Sequence, residues 1–397
     1  MPVAVFVLGL TVFSLGTTEF MVAGLLPELS TEFGVPVSQA GWLISVFALG
    51  VVVGAPLITA ATTRIPRKSA LVGLLVVFIA GEVVATLAGS FEVLMAARVV
   101  TAVAHGAFFG IGAVLAADLV GSGRRARAIS IMFGGLTIAT IAGVPLGTFL
   151  GQQIGWRAAF LGAVAVLGIV DLIGVAVLVP KQPGSSSGLD LRRELSAFAN
   201  TRVWLALATT MLSQAGLYTA YTYIAPLLTD VTGFAPGWVA PLLGLFGVGT
   251  FAGSLIGGRL ADRSLMATLC LGLIGLAAIL AAFSLTAGHK IAMVVTLALF
   301  GVGAFVINPA LQTRVMNLTD HAPTLASTSN ISAFNLGNAL GPWLGGLGIS
   351  AGAGLLAPSW IGALLALAAL TVALTSLAAD RRVRNRTSGH TPMTKPG

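Results

Sequence analysis

Three side chains have the type and setting to handle a proton: a carboxylate at Glu19, a guanidinium at Arg98 and an imidazole at His105. Glu19 sits in the run from Val3 to Leu26, which carries no other charge and is long enough to cross a bilayer. A charge at that depth costs about 2.5 to 3.5 kcal/mol on insertion scales, so such a residue pairs, titrates or faces water. At helical rise Glu19 lies about 12 Å below the surface marked by Pro27, and Arg98 about 9 Å below the same surface, so the two are able to meet. His105 follows Arg98 by nearly two turns and shares its face. An acid moved between a dry setting and one beside a guanidinium takes up and releases a proton. The same groups would equally make a static buried ion pair that fixes helix register, and His105, beside Gly106, an interhelical hydrogen bond.

Other polar groups interrupt apolar runs. Glu82 and Asp171 are further intramembrane carboxylates, each needing a partner or a proton. All three tyrosines fall in LYTAYTYIAP: Tyr218 and Tyr221, three apart, share a face, and Tyr223 points elsewhere. An apolar ring with a hydroxyl suits a site for amphipathic, partly aromatic substrates, and it also suits the aromatic belt at a membrane surface. We expect the site for Tyr218 and Tyr221 and the belt for Tyr223. Asn330, Asn335 and Asn338 form one set of amides, with Asn335 and Asn338 on one face, and Asn308 with Gln312 form another. Substrate contact and hydrogen bonding between helices both account for them. Asp118, Asp230, Arg314 and Asp380 sit at span ends, as interfacial or capping groups.

The elements that must position these groups are membrane helices. The 397 residues are 56% hydrophobic and 9% charged, with a mean hydropathy of +0.98, which excludes a soluble domain. Twelve apolar runs reach spanning length: 3–26, 38–60, 69–88, 93–116, 127–150, 158–179, 203–228, 237–258, 266–287, 291–313, 324–349 and 358–379. With a cytoplasmic N-terminus, 18 of the 21 Lys and Arg fall inside, only Arg157 and Lys290 fall outside, and Arg98 lies within a span. The positive-inside rule therefore predicts an even number of spans with both termini cytoplasmic, and the formal charge of +8 reads as topology rather than as nucleic-acid binding. The first run has no basic leader and reads as an uncleaved span. A single cysteine, Cys270, offers neither an intrachain disulfide nor a metal cluster, and no cofactor is expected. The chain has no GxxxxGK[ST] stretch for ATP and no nucleophile elbow, so an enzyme is not expected.

An ungapped shift of 199 residues superimposes Pro27 on Pro226, Leu29 on Leu228, Gly34 on Gly233, Leu43 on Leu242, Phe47 on Phe246, Gly50 on Gly249, Gly54 on Gly253 and Arg64 on Arg263. Two six-span halves follow, 1–179 and 203–379, with a linker at 180–202 and a tail at 380–397. In the linker, KQPGSSSG is flexible and LDLRRELSAF is able to form a surface helix. GVPLG at Gly143 to Gly147, with Pro145, and LGPWLGG at Leu340 to Gly346 place helix-breaking proline between glycines at roughly equivalent points of the two halves.

GGRLADR, containing Gly258, Asp262 and Arg263, resembles the loop signature of the major facilitator superfamily, where glycine permits a tight turn and the Asp caps or pairs at a helix end. Its first-half counterpart, TTRIPRK, has Thr63 in place of that Asp. GTTEF at Gly16, HGAFFG at His105, GVPLG, GWR at Gly155 and NLGNALG at Asn335 resemble the bacterial drug:proton antiporters of the twelve-span group, and within it the sugar-efflux-like and chloramphenicol-exporter proteins. The resemblance covers almost the whole chain. It implies an all-α membrane protein of twelve transmembrane helices in two six-helix bundles, monomeric, in a bacterial cytoplasmic membrane. It places the first and fourth helices on a central cavity and the third and sixth at the periphery. The implied partners are a small-molecule substrate, protons and the lipid bilayer. Drug efflux and efflux of a sugar or related polar metabolite both remain open, as does a membrane receptor that does not transport.

Overall fold

In hydrocarbon every backbone N–H and C=O must be satisfied within the segment, so apolar runs of this length become helices. A computed structural model of the chain describes residues 1–62, 64–162, 167–181, 200–319 and 323–388. Twelve helices cross in order: α1 (Val3–Gly24), α2 (Val37–Ala61), α3 (Arg67–Thr86), α4 (Phe91–Asp118), α5 (Arg127–Ile154), α6 in two described pieces (Trp156–Gly162 and Ile169–Leu178), α7 (Thr201–Thr222), α8 (Pro236–Arg263), α9 (Leu265–Thr286), α10 (Lys290–Asn317), α11 (Pro323–Gly348) and α12 (Ala357–Asp380). Among the described residues nine of these are long and apolar enough to span by composition alone. The other three are α6, described in pieces, and α7 and α11, which carry the polar groups of the site. Thr63, the LDLRRELSAF segment and the tail beyond 388 lie outside the described residues.

The helix ends follow local chemistry. Ser90 caps α4 by accepting from the Val93 N–H, and Asn200 caps α7 by accepting from Arg202 N–H. Gly34 ends the short helix Leu26–Phe33 at φ 63°, and its counterpart Gly233 has φ 74°, so this repeated glycine is held by a left-handed turn.

The two halves repeat one packing plan. α2 packs on α4 as α8 packs on α10, α1 on α5 as α7 on α11, and α3 on α6 as α9 on α12. The 199-residue offset extends to the residues that touch. A Cβ at Gly54 would lie 2.3 Å from a Val103 methyl, and one at Gly253 would lie 2.4 Å from the carbonyl oxygen of Val302, the same two positions in each half. Small residues there let the helix backbones approach.

The proline motifs do not break their helices. The backbone widens to a π-helical turn over Ala139–Gly143, just before Pro145, and α5 continues to Ile154. Gly143 and Gly147 serve contact with α1, because a Cβ on them would lie 2.0 Å from Thr17 Oγ1 and 3.0 Å from Met21 Sδ. Pro342 lies inside α11. The tight turn expected at Gly258 is likewise absent: α8 runs unbroken to Arg263, Gly258 faces open space, and it is Gly257 whose missing Cβ admits Val306 O of α10. Asp262 and Arg263 are exposed at the helix end.

Helices α2 with α11 and α5 with α8 join the halves. The named contacts lie in the half of the membrane away from the termini: Ser45 Oγ donates to Ala339 O at 2.8 Å, Ser350 and Ser38 hydroxyls are 2.9 Å apart, and Gly247 lies against Thr140 O. Tyr223 does not belong to a surface belt. It is 1% exposed, donates to Pro342 O at 2.8 Å and lies 3.3 Å from Ser38 O, so its hydroxyl spans the join. Gly41, Gly345 and Gly346 wrap the phenol too closely for any side chain.

Candidate functional site

The first half buries Glu82, Asp171, Arg98 and His105 and leaves a third carboxylate, Glu19, partly buried. Arg98 and Glu19 do come together, but through the Glu19 main chain, and the side-chain partners differ from the expected pair. Arg98, fully buried, faces Glu82 of α3 across 3.6 Å. It reaches α1 through main-chain atoms, donating to Thr18 O at 3.2 Å and Glu19 O at 3.3 Å, and lies 4.2 Å above the Phe47 ring of α2. Glu82 is therefore not peripheral. It lies in the core of the half because α3 packs closely on α4.

The Glu19 carboxylate instead pairs with His105 Nε2 at 3.4 Å. His105 is fixed by aromatic neighbours, stacked on Phe109 at 4.5 Å and edge-on to Phe47 at 5.3 Å, while its Nδ1 has no hydrogen-bond partner among the described residues. Arg98 still acts on Glu19 through space. The cluster thus joins four helices, with one acid on the guanidinium and another on the imidazole.

Glu19 also faces the second half. Tyr218 and Tyr221 of α7 lie within its electrostatic reach. Its neighbour Phe20 packs 6.3 Å from Tyr218, which lies 5.9 Å from Tyr221, and Tyr221 stacks on Phe246 of α8 at 4.8 Å. An aromatic path therefore runs from the Glu19 segment of α1 into the second half. Phe20, Phe47, Phe109 and Phe246 went unnoticed as site residues, because a phenylalanine in an apolar run carries no signal of which way it points.

The amides stitch α7, α10 and α11 together. Gln214 Nε2 donates to Asn308 at 2.9 Å, Asn330 Nδ2 donates to Gln312 at 2.6 Å, and Thr210 donates to Asn330 at 2.7 Å. Asn338 lies beside the Tyr218 hydroxyl, with its own Oδ1 buried and, like Gln214 Oε1, without a partner among the described residues. Asn335 is apart from this network and donates back to Ile331 O. Gln214 was missed; the signal for it was an amide in the middle of a span. Among the described residues no group of His, Cys, Asp and Glu is arranged to hold a metal.

At the helix ends several charges pair, while Asp230 accepts from the Thr229 hydroxyl at 2.7 Å. Asp118 binds Arg67 and lies 4.0 Å from Arg125, Asp380 lies 2.6 Å from Arg314 and 3.3 Å from Arg202, and Arg157 binds Glu32.

The chain has relatives among bacterial transport and resistance proteins. It is 42% identical over 369 residues to the inner membrane transport protein YdhP of Escherichia coli O157:H7, covering 93% of this chain and 94% of that one. It is 37% identical over 380 residues to a chloramphenicol resistance protein of Streptomyces lividans, covering 94% and 96%. Among solved structures, a bacterial homologue of the human lysosomal transporter Spinster, in an inward-facing and occupied conformation, shares the fold with a TM-score of 0.72 at 19% identity, over 94% of each chain. The family model of the Major Facilitator Superfamily matches residues 8–342, and with twelve helices in two repeated bundles the chain belongs to that superfamily.

Proposed function

We propose that this protein is a proton-coupled secondary transporter that exports small amphipathic compounds by alternating access, with the halves 1–179 and 203–379 rocking about the site. The observation that carries the reading is the position of Glu19, which pairs with His105 in one half and faces Tyr218 and Tyr221 of the other. One acid placed between proton partners and candidate substrate rings is able to hold a proton or favour a substrate, and exchanging the two is antiport. Arg98 acts as a positioning group that holds the α1 backbone at Thr18 and Glu19.

The lysine and arginine distribution supports cytoplasmic termini, and the halves are joined on the opposite side, so we read this state as open to the cytoplasm. Localisation in a bacterial cytoplasmic membrane and a monomeric state complete the proposal, with no catalytic centre and no cofactor. The chloramphenicol resistance protein supports a drug-like cargo. A second reading, export of a sugar or other polar metabolite, is favoured by the Asn308, Gln214 and Asn338 amides, since unpartnered buried acceptors suit a hydroxyl-bearing ligand.

The test is substrate-induced proton release from energised inverted membrane vesicles, with chloramphenicol first and sugars next. Chloramphenicol-driven release that vanishes in Glu19→Gln, with the variant folded and inserted, is the expected result. Release with sugars alone would transfer the cargo to the second reading. Full-rate export against a gradient by Glu19→Gln would remove Glu19 from coupling, and binding without flux would indicate a receptor.

A further inference from the structure

Asp171 belongs to none of the pairs above. It lies on the second described piece of α6, 1% exposed, where that helix packs on α1 and α3. On α1 it faces the hydroxyls of Ser14 and Thr11. Each hydroxyl also donates within its own helix, Ser14 Oγ to Leu10 O and Thr11 Oγ1 to Val7 O, each at 3.1 Å, so its one hydrogen is divided between that carbonyl and Asp171. Among the described residues neither Asp171 oxygen has a hydrogen-bond partner within 3.5 Å.

An ionised carboxylate in that position would have only these shared hydroxyl hydrogens to meet it in a dry bundle, which is costly. A single hydrogen on Asp171 removes that cost, because a protonated carboxyl is neutral and has one donor to offer a hydroxyl oxygen. Among the described residues the surrounding charged groups do not supply a counter-ion. α1 carries Glu19 five residues beyond Ser14, and α3 carries Glu82 three residues beyond Ile79, which packs on Gly168 of α6. Both are acids, and the guanidinium of Arg98 is engaged with Glu82.

Thr11, Ser14 and Thr18 follow one another at spacings of three and four along one face of α1. The carbonyl of Thr18 at the end of this row accepts from Arg98. A file of hydroxyls thus leads from Asp171 towards the Arg98, Glu82 and Glu19 cluster. It runs inside the first half, apart from the aromatic path between the halves.

We propose that Asp171 is a second proton-carrying site of this transporter, loaded and emptied along the Thr11, Ser14 and Thr18 face of α1. The inference rests on the proton-coupled reading above and extends it. Loading forms one O–H bond on the Asp171 carboxylate with a proton delivered by water on the outer side. Unloading breaks that bond and returns the proton to water on the cytoplasmic side, so the net step is one proton moved per cycle besides the one carried by Glu19. Emptying requires water to reach a site that is closed here, so it belongs to a state in which α6 and α1 have parted.

The test measures stoichiometry in proteoliposomes holding the full chain, with chloramphenicol as the probe, by finding the pH difference and membrane potential at which flux reverses. The expected result is two protons per molecule for the wild type and one for Asp171→Asn. A wild-type value of one, or an unchanged value in folded Asp171→Asn, overturns the proposal. So does flux that follows sodium rather than protons, which would make the oxygen cage a cation site. Infrared difference spectra of the ligand-free protein across a pH titration guard against a variant that fails to fold. The expected signature is a protonated-carboxyl C=O band that moves to higher frequency in Ser14→Ala/Thr11→Val, and its absence overturns the proposal. No chloramphenicol-driven or sugar-driven proton flux in the wild type would instead overturn antiport itself.

Discussion

At the scale of residues, the arginine in the first half has an acid partner that decides its effect on stability. Arg98 and Glu82 are both buried, and among the described residues neither Glu82 oxygen has a hydrogen bond, so the Glu82 charge depends on Arg98. Removing one member of a buried pair strands the other, at about 3 to 5 kcal/mol, whereas replacing both by apolar groups is often neutral. Arg98→Met is therefore expected to lower the thermal midpoint in detergent sharply, and Arg98→Met/Glu82→Leu to recover much of the loss. Strictly additive losses in the double variant would show that the two do not depend on one another. Much of this chemistry was legible in the sequence, since a charged residue in an apolar run announces itself. Its pairing was not, because helical rise gives depth in the membrane and says nothing about azimuth. Arg98 was within depth of Glu19, yet the face of α4 that carries it turns the guanidinium to Glu82 and the α1 backbone, and leaves Glu19 to His105.

At the scale of elements, glycine spacing sets which helices touch. On α8, Gly249, Gly253 and Gly257 recur every four residues and lie against Ala298, Val302 and Val306 of α10, with would-be Cβ atoms 2.7, 2.4 and 2.1 Å from their carbonyl oxygens. Backbone oxygens cannot rotate aside as a side chain does. Gly258, one residue on, faces open space. Gly257→Ala is thus expected to push α8 and α10 apart and reduce the yield of folded protein. Gly258→Ala gains up to about 1 kcal/mol from helix propensity and should raise the thermal midpoint slightly. Equal midpoints for the two variants would mean that α8 is free to shift along α10. The repeat offset was readable from such glycines, but a composition-based reading could not separate Gly257 from Gly258, because the signature GGRLADR contains both and only the azimuth of α8 distinguishes them. The GVPLG motif was misread for a related reason. Proline removes one hydrogen bond, and a π-helical turn over Ala139–Gly143 precedes it without ending the helix.

At the scale of the whole molecule, alternating access needs a join that holds on one side and releases. Tyr223, expected at the lipid surface because it faces away from Tyr218 and Tyr221, is instead one of the side chains that span that join. A neutral hydrogen bond contributes about 0.5 to 1.5 kcal/mol net, enough to move a two-state population by up to about tenfold. Tyr223→Phe keeps the ring among Gly41, Gly345 and Gly346 and removes only the hydroxyl, so it should shift the resting state towards the one open away from the termini. The same join offers a direct test of motion. Ser38 and Ser350 face each other across the halves with oxygens 2.9 Å apart, and Cys270 is the single natural cysteine. In a Cys270→Ser background, Ser38→Cys/Ser350→Cys should form a disulfide on oxidation, arrest export and regain it on reduction, while each single variant transports throughout. The double variant loses transport on oxidation because a bond of that length cannot span separated halves. Continued export by the fully crosslinked protein would mean that substrate passes without the halves parting at Ser38, which rules out rocking about this join.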